Sequence, residues 1–304
     1  MLEHIYVLGN GFNIDLGLKV GYEDYFNSSA WTTLKQKFDA PLKNYLQESI
    51  DKNTYNIEAI FERYIQSLNS DEYAQIDATF LQALEYSFSE FVSAATFDIN
   101  KNSEAYKLLC AIQQERQMAP PELCVYVYSF CYTLFDRLRF FDQPTVFEEI
   151  CAACNGQIAR NQLGGIEINI DYIHGRSSGG YSKAILGLSY NNFYNSSDSI
   201  LDSYSFMLKE CHSHYMYCKK KYLQMSLLRA EKIVFFGFSF SKPDAPYVAD
   251  WLRTLPAFEQ RRDIILYVYS ETDKNNILLT METIAGDNWA AIQEKYNITF
   301  ITQK

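Results

Sequence analysis

Ile5-Tyr6-Val7-Leu8-Gly9-Asn10-Gly11-Phe12-Asn13-Ile14-Asp15-Leu16-Gly17-Leu18 is the stretch that decides the fold. Its first four residues form an apolar run with no solvent-facing alternation. That is the pattern of a strand buried on both faces, in the middle of a parallel sheet. The run passes straight into glycines and a helix start. Glycines permit a tight turn and close backbone approach, and a helix start offers unpaired N–H groups with partial positive charge, so this arrangement suits a phosphate. The match to Gly-x-Gly-x-x-Gly is incomplete, because Asp15 and Leu16 precede Gly17. Any strand-to-helix turn can need two glycines, so the motif alone does not assign nucleotide binding.

Outward from this stretch, Tyr22 to Leu46 reads as a helix with Tyr22, Tyr25 and Phe26 at helical spacing. Ile57 to Leu68 reads as a second helix. A third runs from an N-cap at Ser70 to about Thr96, and its stripe of Ile76, Phe80, Leu84, Phe88, Phe91, Val92 and Ala95 is a core face. Ala105 to Gln117 is a fourth, stopped by Pro120-Pro121. Residues 22–118 therefore read as an all-helical insertion after strand one, far longer than one crossover helix requires.

Strand character returns at Leu123–Phe130, Ile166–Ile173, Ala184–Leu188, Ile233–Phe236, Ile264–Tyr269 and Asn297–Ile301. Helices are expected between them: through Leu138, from Leu201 to Arg229, over Tyr247–Leu252 behind a cap at Ser241–Asp244, and from Asp273 to Ile284. Alternation of strand and helix implies an α/β fold, a Rossmann-like parallel sheet covered by helices on both faces. The α/β domain takes residues 1–21 and 119–304, and the helical insertion takes 22–118. In such sheets ligands sit at the C-terminal ends of the strands. The glycine turn, Cys131-Tyr132-Thr133, His174-Gly175 and Gly237-Phe238-Ser239 all fall at such ends.

The chain has 304 residues, 48% apolar and 21% charged, enough to bury a full core. A net charge of −10 argues against a nucleic-acid partner, which needs clustered Lys and Arg; Lys219-Lys220-Lys221 reads as a solvated helix face. No export signal precedes the first strand and no run of eighteen apolar residues occurs, so a cytoplasmic protein without a membrane partner is expected. The seven scattered cysteines then read as reduced thiols. Cys151-Ala152-Ala153-Cys154 and Cys211-His212-Ser213-His214 with Cys218 lack tight paired metal spacing, and Cys211, Cys218, Tyr222 and Met225 follow helical spacing as a core stripe. No metal is expected.

With the four clusters placed, the chain resembles the AbiH family of bacterial abortive-infection proteins, implicated in phage defence. The family opening, Gly-Asn-Gly-Phe-Asp-x-x-x-Gly-Leu followed by Tyr-x-x-Phe, is matched by Gly9 to Asn13, Gly17-Leu18, Tyr22 and Tyr25-Phe26. Its Phe-Asn-Tyr-Thr resembles Phe130-Cys131-Tyr132-Thr133. Its Ile-His-Gly is Ile173-His174-Gly175. Its Gly-His-Ser…Asp-x-x-Tyr resembles Gly237-Phe238-Ser239…Asp244-Ala245-Pro246-Tyr247. Motif order is also similar to the more distant sirtuin-like fold, whose defence members cleave NAD between ribose and nicotinamide. That likeness implies NAD as ligand or substrate, and a reaction in which neutral nicotinamide leaves an oxocarbenium-like ribose that water captures, parallel to glycoside hydrolysis.

On this reading Gly9, Asn10, Gly11, Phe12 and Asn13 contact the dinucleotide, with Tyr132, Thr133, Gly175, Gly237, Phe238, Ser239, Asp244 and Tyr247 completing the pocket. His174 is the first catalytic candidate, since a neutral imidazole accepts a proton from a ribose hydroxyl or water. A hydrogen-bonded structural role is its competing reading. Cys131 is the second, a conceivable thiolate where the family has Asn. Asn13 stands where the family has Asp and keeps an acceptor without the charge, and Phe238 replaces a His. Two readings stay open: an NAD glycohydrolase, and a catalytically degenerate nucleotide-binding sensor whose helical insertion docks a phage or defence-system protein. A nuclease effector ranks below both, for want of a carboxylate metal cluster. Homo-oligomerisation is left open.

Overall fold

The computed structural model describes residues 2–38, 40–51, 56–60, 63, 78–95, 99–118, 123–131, 168–172, 214–240, 244–254 and 260–303. Six strands form one all-parallel sheet in the order β3-β2-β1-β4-β5-β6. They are β1 (Leu2–Leu8), β2 (Leu123–Ser129), β3 (Ile168–Tyr172), β4 (Lys232–Phe236), β5 (Arg262–Val268) and β6 (Tyr296–Thr302). The strand order reverses at β1, which β2 flanks on one side and β4 on the other. This is the doubly wound arrangement with its switch point beside the glycine turn.

Strand β1 behaves as its sequence requires. Ile5 and Val7 are buried in one cluster and Tyr6 and Leu8 in another, so the run faces apolar layers above and below. The described elements between β1 and β2 are all helices: α1 (Asn10–Asp15), α2 (Tyr22–Phe26), α3 (Ser29–Lys35), α4 (Ala40–Asp51), α5 (Ala78–Ala94) and α6 (Glu104–Met118). Tyr25, Trp31, Phe80, Leu84, Phe88, Leu109 and Ile112 from these helices share one buried cluster with Tyr6, Leu8, Val125, Val127, Val234 and Phe236. They therefore cover one face of the sheet. The other face is covered by α7 (His214–Arg229), α8 (Pro246–Arg253), α9 (Glu271–Ala285) and α10 (Trp289–Lys295), through Leu223, Leu227, Val248, Trp251, Leu252, Ile277, Met281 and Ile292.

Several sequence expectations change. The single helix over Tyr22–Leu46 is three pieces, because Ser28 ends one and caps the next, its Oγ accepting the Trp31 N–H at 3.2 Å. Helix α8 starts at Pro246, and the Tyr247 N–H goes to the main-chain carbonyl of Asp244 at 3.0 Å; residues 241–243 of the expected cap lie outside the described residues. The expected core stripe on α7 is wrong in phase. Tyr222 and Met225 are 63% and 43% exposed, and the buried face is Leu223, Gln224, Ser226 and Leu227. The expected strand Ala184–Leu188, the cap at Ser70 and the start of the helix from Leu201 lie outside the described residues.

Candidate nucleotide-binding rim

The glycine turn sits between the C-terminal ends of β2 and β4. Phe130 donates its N–H to the Leu8 carbonyl at 2.8 Å, and Gly9 donates to the Phe236 carbonyl at 2.8 Å. Both bonds extend the ladders one residue past the strands. The turn then packs against Gly237, whose carbonyl accepts a long bond from the Gly11 N–H at 3.4 Å. A Cβ on Gly9 would stand 2.1 Å from the Gly237 oxygen, and one on Gly11 2.8 Å from the Gly237 Cα. Gly237 itself has φ +60. These three glycines thus let two turns lie backbone against backbone, a requirement of the fold independent of any ligand.

Beneath the turn lies a short polar chain. Asn10 donates from Nδ2 to the Val20 carbonyl at 3.4 Å, and Asn13 donates from Nδ2 to Asn10 Oδ1 at 3.5 Å. Val20 fixes the orientation of the first amide and the first fixes the second. Asn13 is fully buried, and its Oδ1 has no hydrogen-bond partner among the described residues. A buried acceptor left open costs about 1–3 kcal/mol and marks a place for a donor from elsewhere. Asp15, two residues further on, serves another purpose. Its Oδ2 accepts the Ala105 N–H at 2.7 Å, capping α6.

Cys131 is brought to the same place and gives no nucleophile. It is fully buried, with its thiol 3.1 Å from the Gly9 carbonyl and 3.5 Å from that of Leu8. Burial pushes the thiol up to about 12, against smaller opposing effects of Ser129 and the Asn13 backbone. A thiolate does not form there near neutral pH. The catalytic candidacy of Cys131 is corrected accordingly: its S–H ties β2 to the glycine turn.

Phe12, Phe238 and Tyr247 are core residues rather than pocket walls. Phe12 packs edge-on against Phe236 at 5.0 Å, Phe238 against Phe130 at 4.8 Å, and Tyr247 against Phe130 at 5.3 Å. Aromatic packing explains why position 238 carries no polar group. Asn10, Gly11 and Asp244 remain half-buried and Ser239 exposed along the rim. Phe240, next to Ser239, holds φ +51, the one positive φ outside glycine among the described residues. For a bulky side chain this is strained backbone.

The structure therefore gathers the glycine turn, Cys131 and Gly237-Phe238-Ser239 at one edge, and the parallel β3 ends at Tyr172 on that edge too. Tyr132, Thr133, His174 and Gly175 lie outside the described residues. Among the described residues no three His, Cys, Asp or Glu side chains group to hold a metal, and no helix is long and apolar enough to cross a membrane.

The family model for bacteriophage abortive infection AbiH matches residues 5–267. The chain belongs to the AbiH family. No curated protein matches it significantly. The matched range runs from within β1 to within β5.

One cluster in this AbiH protein had no sequence signal. At the opposite end of the sheet, Glu115 on α6 accepts from His4 Nδ1 at 2.8 Å, from Tyr6 at 2.5 Å and from Lys232 at 3.1 Å. The group opens on a cleft of about 690 Å³ that Arg261, Arg262 and Asp263 also line. Burial alone would raise the Glu115 carboxyl, but the three donors outweigh it and hold it at about 2. The partners are more than a hundred residues apart in sequence, and of the polar side chains of β1, Glu3, His4 and Tyr6, the last two meet Glu115.

Proposed function

We propose that this AbiH protein acts in abortive infection by binding a dinucleotide, NAD the first candidate, over the Gly9–Asn13 turn at the C-terminal edge of the sheet. One observation carries the reading: the glycine turn lies at the switch point of a doubly wound parallel sheet, where such sheets hold nucleotides. The buried, open Oδ1 of Asn13 supports it, as an acceptor for a ligand hydroxyl or amide N–H. Asn10 and Ser239 supply further neutral polar groups along the rim.

In the hydrolytic form of the proposal, His174 takes a proton from a ribose hydroxyl or from water. Nicotinamide leaves as a neutral base, and water closes the oxocarbenium-like ribose to ADP-ribose with release of one proton. The non-hydrolytic form, a sensor that binds without turnover, is favoured by the buried thiol of Cys131 and the uncharged amide of Asn13, neither of which offers a nucleophile or a negative charge to a developing cation. In that form the helices of residues 22–118 present the surface for a phage or defence-system protein.

Isothermal titration of NAD, with nicotinamide measured in the same samples, separates the cases. Saturable binding that weakens about tenfold in Asn10→Asp, where a carboxylate repels phosphate, supports the rim. Nicotinamide release abolished by His174→Ala selects the hydrolase, and binding without release selects the sensor. Absence of saturable binding to NAD, ADP-ribose and related dinucleotides overturns the proposal.

A further inference from the structure

The cleft beside Glu115 lies at the opposite end of the sheet from the glycine turn. Strand register builds its floor. His4, Lys232 and Asp263 stand side by side on β1, β4 and β5. Each comes two residues before one that packs on the α6 side, Tyr6, Val234 and Ile265, so all three side chains leave the sheet on that face. Of the nine described residues that line its roughly 690 Å³, only Ile265 is apolar. A space of this size suits a small molecule. Its polar groups are not used up. Lys232 donates to Glu115 Oε1 and to Tyr6 Oη, which leaves one of its three N–H groups over. His4 gives its Nδ1 proton to the Glu115 carboxylate, so Nε2 of the neutral ring is left as an acceptor. Arg261 donates from Nη2 to the carbonyls of Gln293 and Tyr296 at 2.7 and 3.0 Å, and meets no carboxylate among the described residues. Its Nε and Nη1 protons are unused. Asp263 is exposed, and its carboxylate accepts from Asn297 Nδ2 at 3.0 Å. Glu231, also exposed, stands beside it on the lining.

We propose that this cleft binds a phosphorylated sugar, a second small-molecule site at the N-terminal edge of the sheet. Lys232 and Arg261 take the phosphate, since ammonium and guanidinium are the side-chain groups that pair best with its oxygens. Arg262, with Nη1 held by the carbonyls of Arg229 and Ala230 at 2.7 and 2.8 Å, adds a third cation to the lining. The carboxylates of Asp263 and Glu231, and His4 Nε2, accept from the sugar hydroxyls. Mixed charge is the selective element. A bare anion is repelled by the two exposed carboxylates, and a neutral sugar leaves Lys232 and Arg261 unanswered. A ligand that carries hydroxyls and a phosphate on one skeleton satisfies both sets. Glu115 does not compete for it, because His4, Tyr6 and Lys232 already answer both of its oxygens.

Isothermal titration of the full chain with ribose 5-phosphate, glucose 6-phosphate, ribose and inorganic phosphate, in a phosphate-free buffer, tests this. At least one sugar phosphate is expected to bind with a dissociation constant on the order of 100 µM, about tenfold tighter than ribose or inorganic phosphate. Arg261→Gln weakens it about tenfold, while Arg261→Lys, which keeps the charge, stays within about threefold of wild type. Circular dichroism checks that both variants fold. Asp263→Ala narrows the preference for the sugar phosphate over inorganic phosphate, because it removes a hydroxyl acceptor and a repulsion together. Three results overturn the proposal. The first is no saturable binding of either sugar phosphate up to about 10 mM. The second is equal affinity for the sugar phosphates and inorganic phosphate, which is general attraction to cations. The third is binding that Asn10→Asp weakens and Arg261→Gln does not, which puts the ligand on the nucleotide rim.

Discussion

The carbonyl oxygen of Gly237 lies 2.1 Å from where a Cβ on Gly9 would stand. Two turns separated by most of the chain therefore share one space, and neither accepts a side chain. The AbiH opening motif is in this respect a packing motif first. Its glycines hold the end of β1 against the end of β4 and so define the rim on which the polar groups are displayed.

Gly9→Ala should be the most damaging single-methyl change at this edge, costing about 3 kcal/mol or more, because the clash is with backbone that cannot swing aside. Gly237→Ala meets Phe12 N at 2.5 Å and is also strained by φ +60. Gly286→Ala has nothing within 4 Å and carries backbone strain alone, at φ +56 and ψ −129, so it should cost about 1–3 kcal/mol. Urea midpoints for the three variants check the order.

Cys131 should resist alkylation in the folded protein. Its thiol is held at about 12 and is fully buried, so iodoacetamide at mildly alkaline pH should label it only after unfolding. Cys131→Ala should leave NAD binding within about twofold of wild type and cost about 1 kcal/mol of stability. Peptide mass spectrometry and titration read the two outcomes.

Strand positions were legible because buried parallel strands are short apolar runs, and Ile5–Leu8, Ile233–Phe236 and Ile264–Val268 are of that kind. The helical register was less so. Periodicity runs on through Ser28, where a local cap breaks the chain, and on α7 apolar residues occur on two faces, of which Leu223 and Leu227 are buried while Tyr222 and Met225 are exposed. The candidate site was legible as an edge, since parallel strands align their ends. Which residues along it stay polar and reachable was not legible, because Phe12, Phe238 and Tyr247 are claimed by aromatic packing that only the tertiary structure reveals.

Asp15→Ala should remove one of two side-chain caps of α6, leaving Ser103 Oγ on the Tyr106 N–H, and cost about 1 kcal/mol, as a carboxylate accepting an N–H at a helix start contributes both a hydrogen bond and a favourable interaction with the helix dipole. Asp15→Asn should recover part of it. Thermal unfolding of the two variants is the comparison.

Acid should weaken the fold through Glu115. Its folded pKa is depressed from 4.5 to about 2, so the stability it supplies is present above pH 4.5 and is lost as pH falls towards 2. Solvent screening at this half-buried carboxyl holds the contribution to about 1–2 kcal/mol. Glu115→Gln should be less stable at neutral pH and show a flatter stability profile across that window in denaturant titrations at stepped pH.

A crystal of this protein soaked with NAD tests the central claim most directly. The account predicts a dinucleotide lying over Gly9–Asn13 beside Ser239, with a ligand donor within hydrogen-bond distance of Asn13 Oδ1. A dinucleotide bound elsewhere on the molecule, or an empty rim at saturating NAD, would contradict it.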